Sequence, residues 1–457
     1  NNKKWDRLWQ FNLHYFDWAR NLIDEAINNQ INDSKLFFLD KIMDQWIDNN
    51  RIAFGDGWHS YTISLRLRNW IWLLKVIPEL ENKKILESIW IQFLWLNNHK
   101  EYCYEGNHLI ENITSLIISS LQFSSSISDK IFKNSLKELE SQLNKQILQD
   151  GGHEERSAYY HFLLLDRLIE TACVINSINN QRPKFLVKKL ELMLSWAELV
   201  ILKNNKLPIF NDSPQDIIKS PDEIIRFAKS YLFKKDFGCK GLRRLLIKKS
   251  IHTNTKLSTN SKNIKKVISD LPQTGWTIIR PNNNHEFCFK NGTPCPKHLP
   301  PHVHSDLCSF TISSNGESIL SNCGTSEYEN TKIRLFERSA MAHNIFQLGL
   351  INKDISTNVK WIEPIEVWGS FRAGKKANVL SRKIFYETNK NIICIAGHNG
   401  FKHYGAKYKR VIDINIKNEK PIISIIDKVN LKYKMAWRAF YHLGPNVSTN
   451  FLNKAIN

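Results

Sequence analysis

His302 and His304 stand one residue apart, just ahead of the alternating stretch 307–313, so in an extended chain both imidazoles project to one face while Val303 and Ser305 face away. Paired imidazoles on one face can take up and return protons near neutral pH, although a polar strand edge would look the same. Three segments of the first half carry further chemistry. Gly106-Asn107-His108-Leu109-Ile110-Glu111-Asn112 opens a helix, which puts His108 three and Asn107 four positions from Glu111, on one surface. A Glu there can hold the His108 tautomer; Asn107 can equally serve as an N-cap. Asp150 to His161 is a glycine turn running into a helix with Arg156, Tyr159, Tyr160 and His161. A cation one helical turn from Tyr160 favours its phenolate. The third segment, Trp58 to Trp70, places Arg66, Asn69 and Trp70 on adjacent turns, the aromatic-plus-guanidinium face that suits a charged sugar or, equally, a core tryptophan with solvated arginines.

These residues need elements to hold them. Aromatic and aliphatic residues recur at helical spacing through 5–31, 34–48, 64–77, 84–99, 110–123, 127–148, 158–178, 183–202 and 221–231, joined by short polar or glycine links. Successive helices with brief links pair antiparallel, and without a repeated signature they favour an α/α toroid, an incomplete barrel of hairpins, over a solenoid. Around 250–265 the text turns to Ser, Thr, Asn and Lys, which reads as a linker. Thereafter the period is two, with strands expected at 276–279, 286–290, 309–313, 345–348, 365–367, 392–395, 411–416, 422–427 and 436–441, a pattern for an antiparallel β-sandwich. The expected layout is multidomain, α then β: a toroid over 1–255, a linker at 256–272 and a sandwich over 273–457.

The 457 residues exceed what one core serves comfortably, and 42% apolar content with 14 Trp, 13 Tyr and 24 Phe is ample for two. Lys plus Arg exceed Asp plus Glu by 64 to 44, a net charge of +20 that favours a polyanionic partner: nucleic acid, anionic membrane or acidic polysaccharide. The excess is scattered, and no helix-turn-helix, zinc-finger or RNP pattern accompanies it, which argues against nucleic acid. Eight cysteines form no CxxC pair and read as buried thiols. No apolar run approaches the ~20 residues of a membrane span. The chain opens at Asn1 without Met and without a signal peptide, leaving room for a targeting segment upstream.

Taken together and in order, Asn107-His108 with Glu111, the Asp150–His161 segment ending Ser-Ala-Tyr-Tyr-His, His302-x-His304-x-Asp306, Asn322-Cys-Gly-Thr-Ser-Glu-Tyr and Ala342-His343-Asn344 resemble the heparinase II/III and alginate lyase superfamily. The opening Trp9-x-Phe-Asn-Leu-His-Tyr-Phe and the 61–70 segment resemble members from bacterial surface-polysaccharide gene clusters. That resemblance implies an N-terminal toroid, a C-terminal sandwich and β-elimination of a uronate polysaccharide, with a periplasmic or cell-envelope setting and no cofactor required. It assigns Asn107 to neutralising the substrate carboxylate, His108 to a catalytic or neutralising role, Tyr160 to the catalytic tyrosine and His302 to the histidine supplied by the sandwich. Arg66, Asn69, Trp70, Glu111, Arg156, His161, Arg334 and Arg338 are then expected to bind substrate. Some relatives hold a structural zinc ion at the positions of His304, Asn322 and His343; the amide at 322 is a poorer zinc ligand than a carboxylate.

The residue types suit elimination. Removing the C5 proton of a uronate adds charge to its carboxylate group, which a neutral or cationic donor must meet, while tyrosine and histidine move protons at C5 and the glycosidic oxygen. A hydrolase on the same scaffold would need two opposed carboxylates, for which Glu111 with Asp212 or Glu154 are the candidates. A catalytically silent glycan-binding protein is the third reading. For the lyase, the site is expected in a cleft between the two domains.

Overall fold

The computed structural model describes residues 6–218, 220–250, 267–296, 298, 301–351, 359–388, 391–416 and 420–448. The chain forms two compact units, one drawn from 1–154, 160–197 and 220–261, the other from 155–159, 198–219 and 262–457. Two short stretches of the first half, 155–159 and 198–219, belong with the second unit.

Helices α1 (Arg7–Tyr15), α2 (Arg20–Ile27), α3 (Asp33–Asn49), α4 (Ser60–Val76), α5 (Lys83–Asn98), α6 (Gly106–Ser120), α7 (Ser126–Gln146), α8 (Ala158–Asn179), α9 (Lys184–Val200), α10 (Pro221–Phe233) and α11 (Gly241–Ser250) make up nearly all of the first unit. Their starts carry the chemistry that stops fraying: Asn32 and Asn82 accept from the amides of Lys35 and Ile85 at 3.0 Å, and Ser125 and Ser128 cap α7 reciprocally. The expected helix over 5–31 is broken at Phe16, whose left-handed φ of 60° ends α1. Helix α4 packs against α1, α2, α5 and α6, and is buried on nearly every side, so its polar residues must find partners inside. Helix α11 returns to α2, with the Leu242 amide donating to Asp24 Oδ1 at 2.8 Å. A side chain at Gly241 (φ +50°) would collide with that carboxylate. Closure of the last helix on an early one is the signature of a ring rather than an open stack.

In the second unit the strands are β1 (Ile268–Leu271), β2 (Trp276–Ile279), β3 (His285–Lys290), β4 (Phe310–Ser314), β5 (Glu317–Leu320), β6 (Phe346–Ile351), β7 (Val359–Trp361), β8 (Ile365–Val367), β9 (Ala373–Lys376), β10 (Val379–Thr388), β11 (Asn391–His398), β12 (Ala406–Asn415), β13 (Ile422–Leu431) and β14 (Ala436–Ala439). They form antiparallel sheets ordered β1-β2-β3-β4-β5, β10-β11-β12-β13, β14-β6-β7 and β8-β9. Inward side chains of the first three sheets meet in a core that includes Phe287, Phe289, Phe310, Phe346, Ile392, Ile412 and Ile414, while Ile365 and Ala373 of the β8-β9 pair pack in a smaller cluster with Val303 and Leu307. Along β12 burial alternates, and the one cation on the inward face, Arg410, is matched by Asp427 at 2.8 Å and by the carbonyls of Cys308 and Asn344. Strand β1 begins inside the expected linker, whose residues 256–266 lie outside those described. The short helix α12 (Lys332–Arg338), capped by Thr331, has no counterpart among the expected elements.

Candidate functional site

In the helical unit the candidate site starts at a strained bend. Glu105, a non-glycine residue, holds φ 50° and ψ −143° immediately before α6, and its carboxylate is tied to Lys145 at 2.6 Å. The bend sets Asn107 and His108 in the first turn of α6. The His108 side chain is 39% exposed. Its Nδ1 lies 3.0 Å from Glu101 Oε1, and its ring stacks on Tyr61 with centroids 4.2 Å apart. Burial pushes the Glu101 pKa up, but the hydrogen bond and charge of His108 outweigh it, so the carboxyl sits below its usual range. Glu111, expected to hold the His108 tautomer, instead pairs with Arg68 at 2.9 Å and Arg167 at 3.5 Å. Tyr160 lies on the first turn of α8 and is partly exposed. Arg156 precedes α8 with φ 54°, so the helical neighbourhood expected between it and Tyr160 is not formed; its Nη2 donates to the Gln273 carbonyl at 3.2 Å.

The second unit centres on Asp212. This fully buried carboxylate accepts from His302 Nδ1 and His304 Nε2, both at 2.7 Å, and from Arg334 through both terminal nitrogens at 2.6 and 2.8 Å. The Asp212 amide also donates to the His302 carbonyl at 3.0 Å, so the two segments are joined by main chain and side chain. Burial would raise the Asp212 pKa, yet Arg334 and the two imidazoles hold it well below the usual 3.8. An anionic carboxylate only accepts, so both ring nitrogens facing it carry hydrogen. His302 Nε2 then points the other way, with Glu155 Oε2 at 3.8 Å and the side chain 11% exposed. Asn211, with left-handed φ of 56°, turns the chain so that Asp212 faces the histidines. Its amide donates to the Arg156 carbonyl at 3.1 Å, and its oxygen is met by Lys290, which also binds Asp306.

Several residues expected at the substrate are corrected to framework. Arg66 is fully buried: it bonds Gln92 Oε1 and the Gly57 carbonyl at 2.8 Å and lies 3.7 Å over Trp46. Asn69 is spent on the Tyr15 carbonyl, Asp17 and Arg20, and Trp70 packs edge-on between Phe16 and Trp46. His161 is buried on Trp196, bonds the Met193 carbonyl at 3.1 Å, and is pushed by burial to a pKa of about 3. Arg334 is clamped on Asp212, and Arg338 ties the Val303 carbonyl to the carbonyl of Ser370. For the arginines and Asn69 the reason is common: an arginine or amide within an all-round buried segment must satisfy its donors locally. Arg66→Ala should therefore lower stability by roughly 3 kcal/mol through lost bonds and packing, while glycan affinity of the folded protein is unchanged. Thermal denaturation and affinity electrophoresis distinguish this from a binding role.

The three residues at the expected zinc positions are buried in the second unit. His304 Nε2 is committed to Asp212, and Asn322 uses its amide on the Ile209 carbonyl at 2.9 Å and its oxygen on the Asn344 amide at 3.3 Å. His343 is buried with its pKa lowered by burial to about 3 and lies 5.3 Å from the His304 ring. Among the described residues no three His, Cys, Asp or Glu side chains converge as metal ligands. His304 Nδ1 and both ring nitrogens of His343 meet no hydrogen-bond partner, so the two imidazoles keep nitrogens that suit a metal, whereas the Asn322 amide is already bonded at both ends and is the poorer ligand.

Asp212 and Glu101 are the carboxylates that meet His302 and His108 and that sequence reasoning did not pair with them, Asp212 having entered only as a hydrolase carboxylate. Glu154, the other such candidate, is buried.

Profiles described as the heparinase II/III N-terminus and the heparinase II/III-like C-terminal domain match residues 2–233 and 263–456. Among solved structures, a heparinase III superposes with a TM-score of 0.65 at 15% identity, covering 91% of this chain and 62% of its own. The heparan sulfate lyase HepC from Pedobacter heparinus gives 0.56 at 15% identity, over 91% and 61%. Another heparinase III gene product gives 0.66 at 15% identity, over 98% and 68%. The chain thus spans about three fifths of the length of the first two. No curated protein matches the sequence. The likenesses support the expected toroid-plus-sandwich fold, and among the described residues no helix is long and apolar enough to cross a membrane.

Proposed function

Because this chain belongs to the heparinase II/III family, we propose that it is a polysaccharide lyase that cleaves an acidic, uronate-containing glycan by β-elimination, with a bacterial capsule, O-antigen or exopolysaccharide as substrate. The observation that carries the reading is the His302–Asp212–Arg334 arrangement: a partly exposed imidazole whose Nδ1–H is held by a carboxylate kept anionic near neutral pH, with Nε2 on the opposite edge as the nitrogen that exchanges protons. In the reaction a base takes the C5 proton, the C4–O4 bond breaks, and its electron pair leaves with the glycosidic oxygen, which is protonated as the C4–C5 double bond forms. Tyr160 and a histidine, His302 or His108, move these protons. The Asn107 amide meets the charge that builds on the uronate carboxylate; one such donor is worth roughly 3 kcal/mol.

The hydrolase alternative is disfavoured by the same contacts. A general acid must keep its proton at working pH, whereas Asp212 is held ionised by Arg334. Glu111 is bound between Arg68 and Arg167. Incubation with uronate polymers should generate near-ultraviolet absorbance from a double bond conjugated to the carboxylate, with no solvent oxygen at the new reducing end. Solvent-oxygen incorporation without that absorbance would overturn the proposal in favour of hydrolysis.

A further inference from the structure

We infer that Glu101 is a positioning residue that fixes His108 as its Nδ1–H tautomer and turns Nε2 toward substrate. Its relevance to turnover rests on the lyase reading; the tautomer itself does not. Glu101 stands seven positions before His108, in the loop between α5 and α6, and its Oε1 is 3.0 Å from His108 Nδ1. What makes this a directed contact is Asn112. The Glu101 main-chain N–H, which can only donate, gives its hydrogen to Asn112 Oδ1 at 2.9 Å. The Asn112 amide is thereby oriented, and its Nδ2 must donate: it reaches Glu101 Oε2 at 3.1 Å and Ser64 Oγ at 3.0 Å. Both carboxylate oxygens are thus assigned, one to Asn112 and one to His108. Glu101 and Asn112 are buried, while the His108 side chain is partly exposed. Tyr61 stacks on the imidazole face, and the ring orientation is set by the Glu101 contact. A second imidazole, His59, has Nε2 3.8 Å from the same Oε1, too long for a hydrogen bond. Of these two imidazoles, His108 is the one hydrogen-bonded to Glu101, while His59 stands in charge contact with it.

The arrangement makes an unusual prediction for Glu101→Gln, which preserves size. The Asn112 Nδ2 still requires an acceptor, so the Gln oxygen must face it, and the Gln amide nitrogen must face His108. Nδ1 then becomes the acceptor, and the imidazole proton moves to Nε2. Long-range 15N–1H spectra of histidine-labelled full chain, recorded where imidazoles are neutral, report the tautomer directly. The wild type should show Nδ1–H at His108, Glu101→Asp the same, and Glu101→Gln Nε2–H. On a polymer that the wild type cleaves, Glu101→Gln should lose on the order of a hundredfold in kcat with KM little changed, and Glu101→Asp should recover much of it. An Nε2–H tautomer in the wild type, or in Glu101→Gln no change of tautomer or no loss of kcat, overturns the inference. The wild-type spectrum decides even where Glu101→Gln does not fold. Absence of any eliminase activity would sink the lyase reading while leaving the tautomer assignment to stand or fall by its spectrum.

Discussion

Tyr160→Phe should reduce elimination by a hundredfold to ten-thousandfold, roughly the range of a proton-transfer group, while binding of the acidic glycan survives. The substitution removes one oxygen from a partly exposed side chain on the first turn of α8, so neither the helix nor the packing beneath it is disturbed. Its neighbour supplies the control. Tyr159 is buried, and burial pushes its phenol up to about 12, a value unsuited to proton exchange at neutral pH. Tyr159→Phe should therefore leave turnover near that of the wild type. Initial rates by absorbance with binding by calorimetry would test the pair, and near-normal turnover in Tyr160→Phe would end the assignment of that residue.

Asp212→Ala should be the most destabilising of the single changes considered, at about 3–5 kcal/mol, because it leaves the buried Arg334 guanidinium and the His304 imidazole without their anion. Asp212→Asn retains shape but has one acceptor oxygen, so it cannot receive the four hydrogen bonds that His302, His304 and Arg334 give the carboxylate, and should fall between. The effect carries a pH signature. The folded pKa of Asp212 is depressed below 3.8, so its stabilisation is complete above that pH and is lost as pH falls toward the folded value. Denaturant midpoints measured from neutral to acid pH should converge between wild type and variant as pH drops. A constant difference across that range would show that the charge of Asp212 contributes nothing.

Local order was legible because it depends on neighbours in sequence. The 3.6-residue period located α3 to α10 within a few residues, and the period of two located β2, β3, β4, β6, β8, β11, β12, β13 and β14 in whole or in part. What escaped were elements whose apolar signal is short or interrupted: α12, held by the Thr331 cap, and edge strands such as β5 and β7, where one partner strand and a half-exposed face permit mixed composition. The arginines were misread for a related reason. Sequence shows that Arg66 and Arg334 are cations beside motifs, but whether a cation meets solvent or a buried acceptor depends on which segments enclose it.

From its sequence alone the protein is determined to be an α-then-β chain carrying Asn107, His108, Tyr160 and His302 in family order, because residue type and short-range period survive without coordinates. Only the tertiary structure decided which carboxylate serves which histidine. Helical spacing offered Glu111 to His108, and folding supplied Glu101 from the preceding loop. Asp212 meets His302 across ninety positions of chain. Such a pairing leaves no trace in period or spacing, since it is specified by the Asn211 turn, by Lys290 and by the clamp of Arg334, each useful only once distant segments have packed.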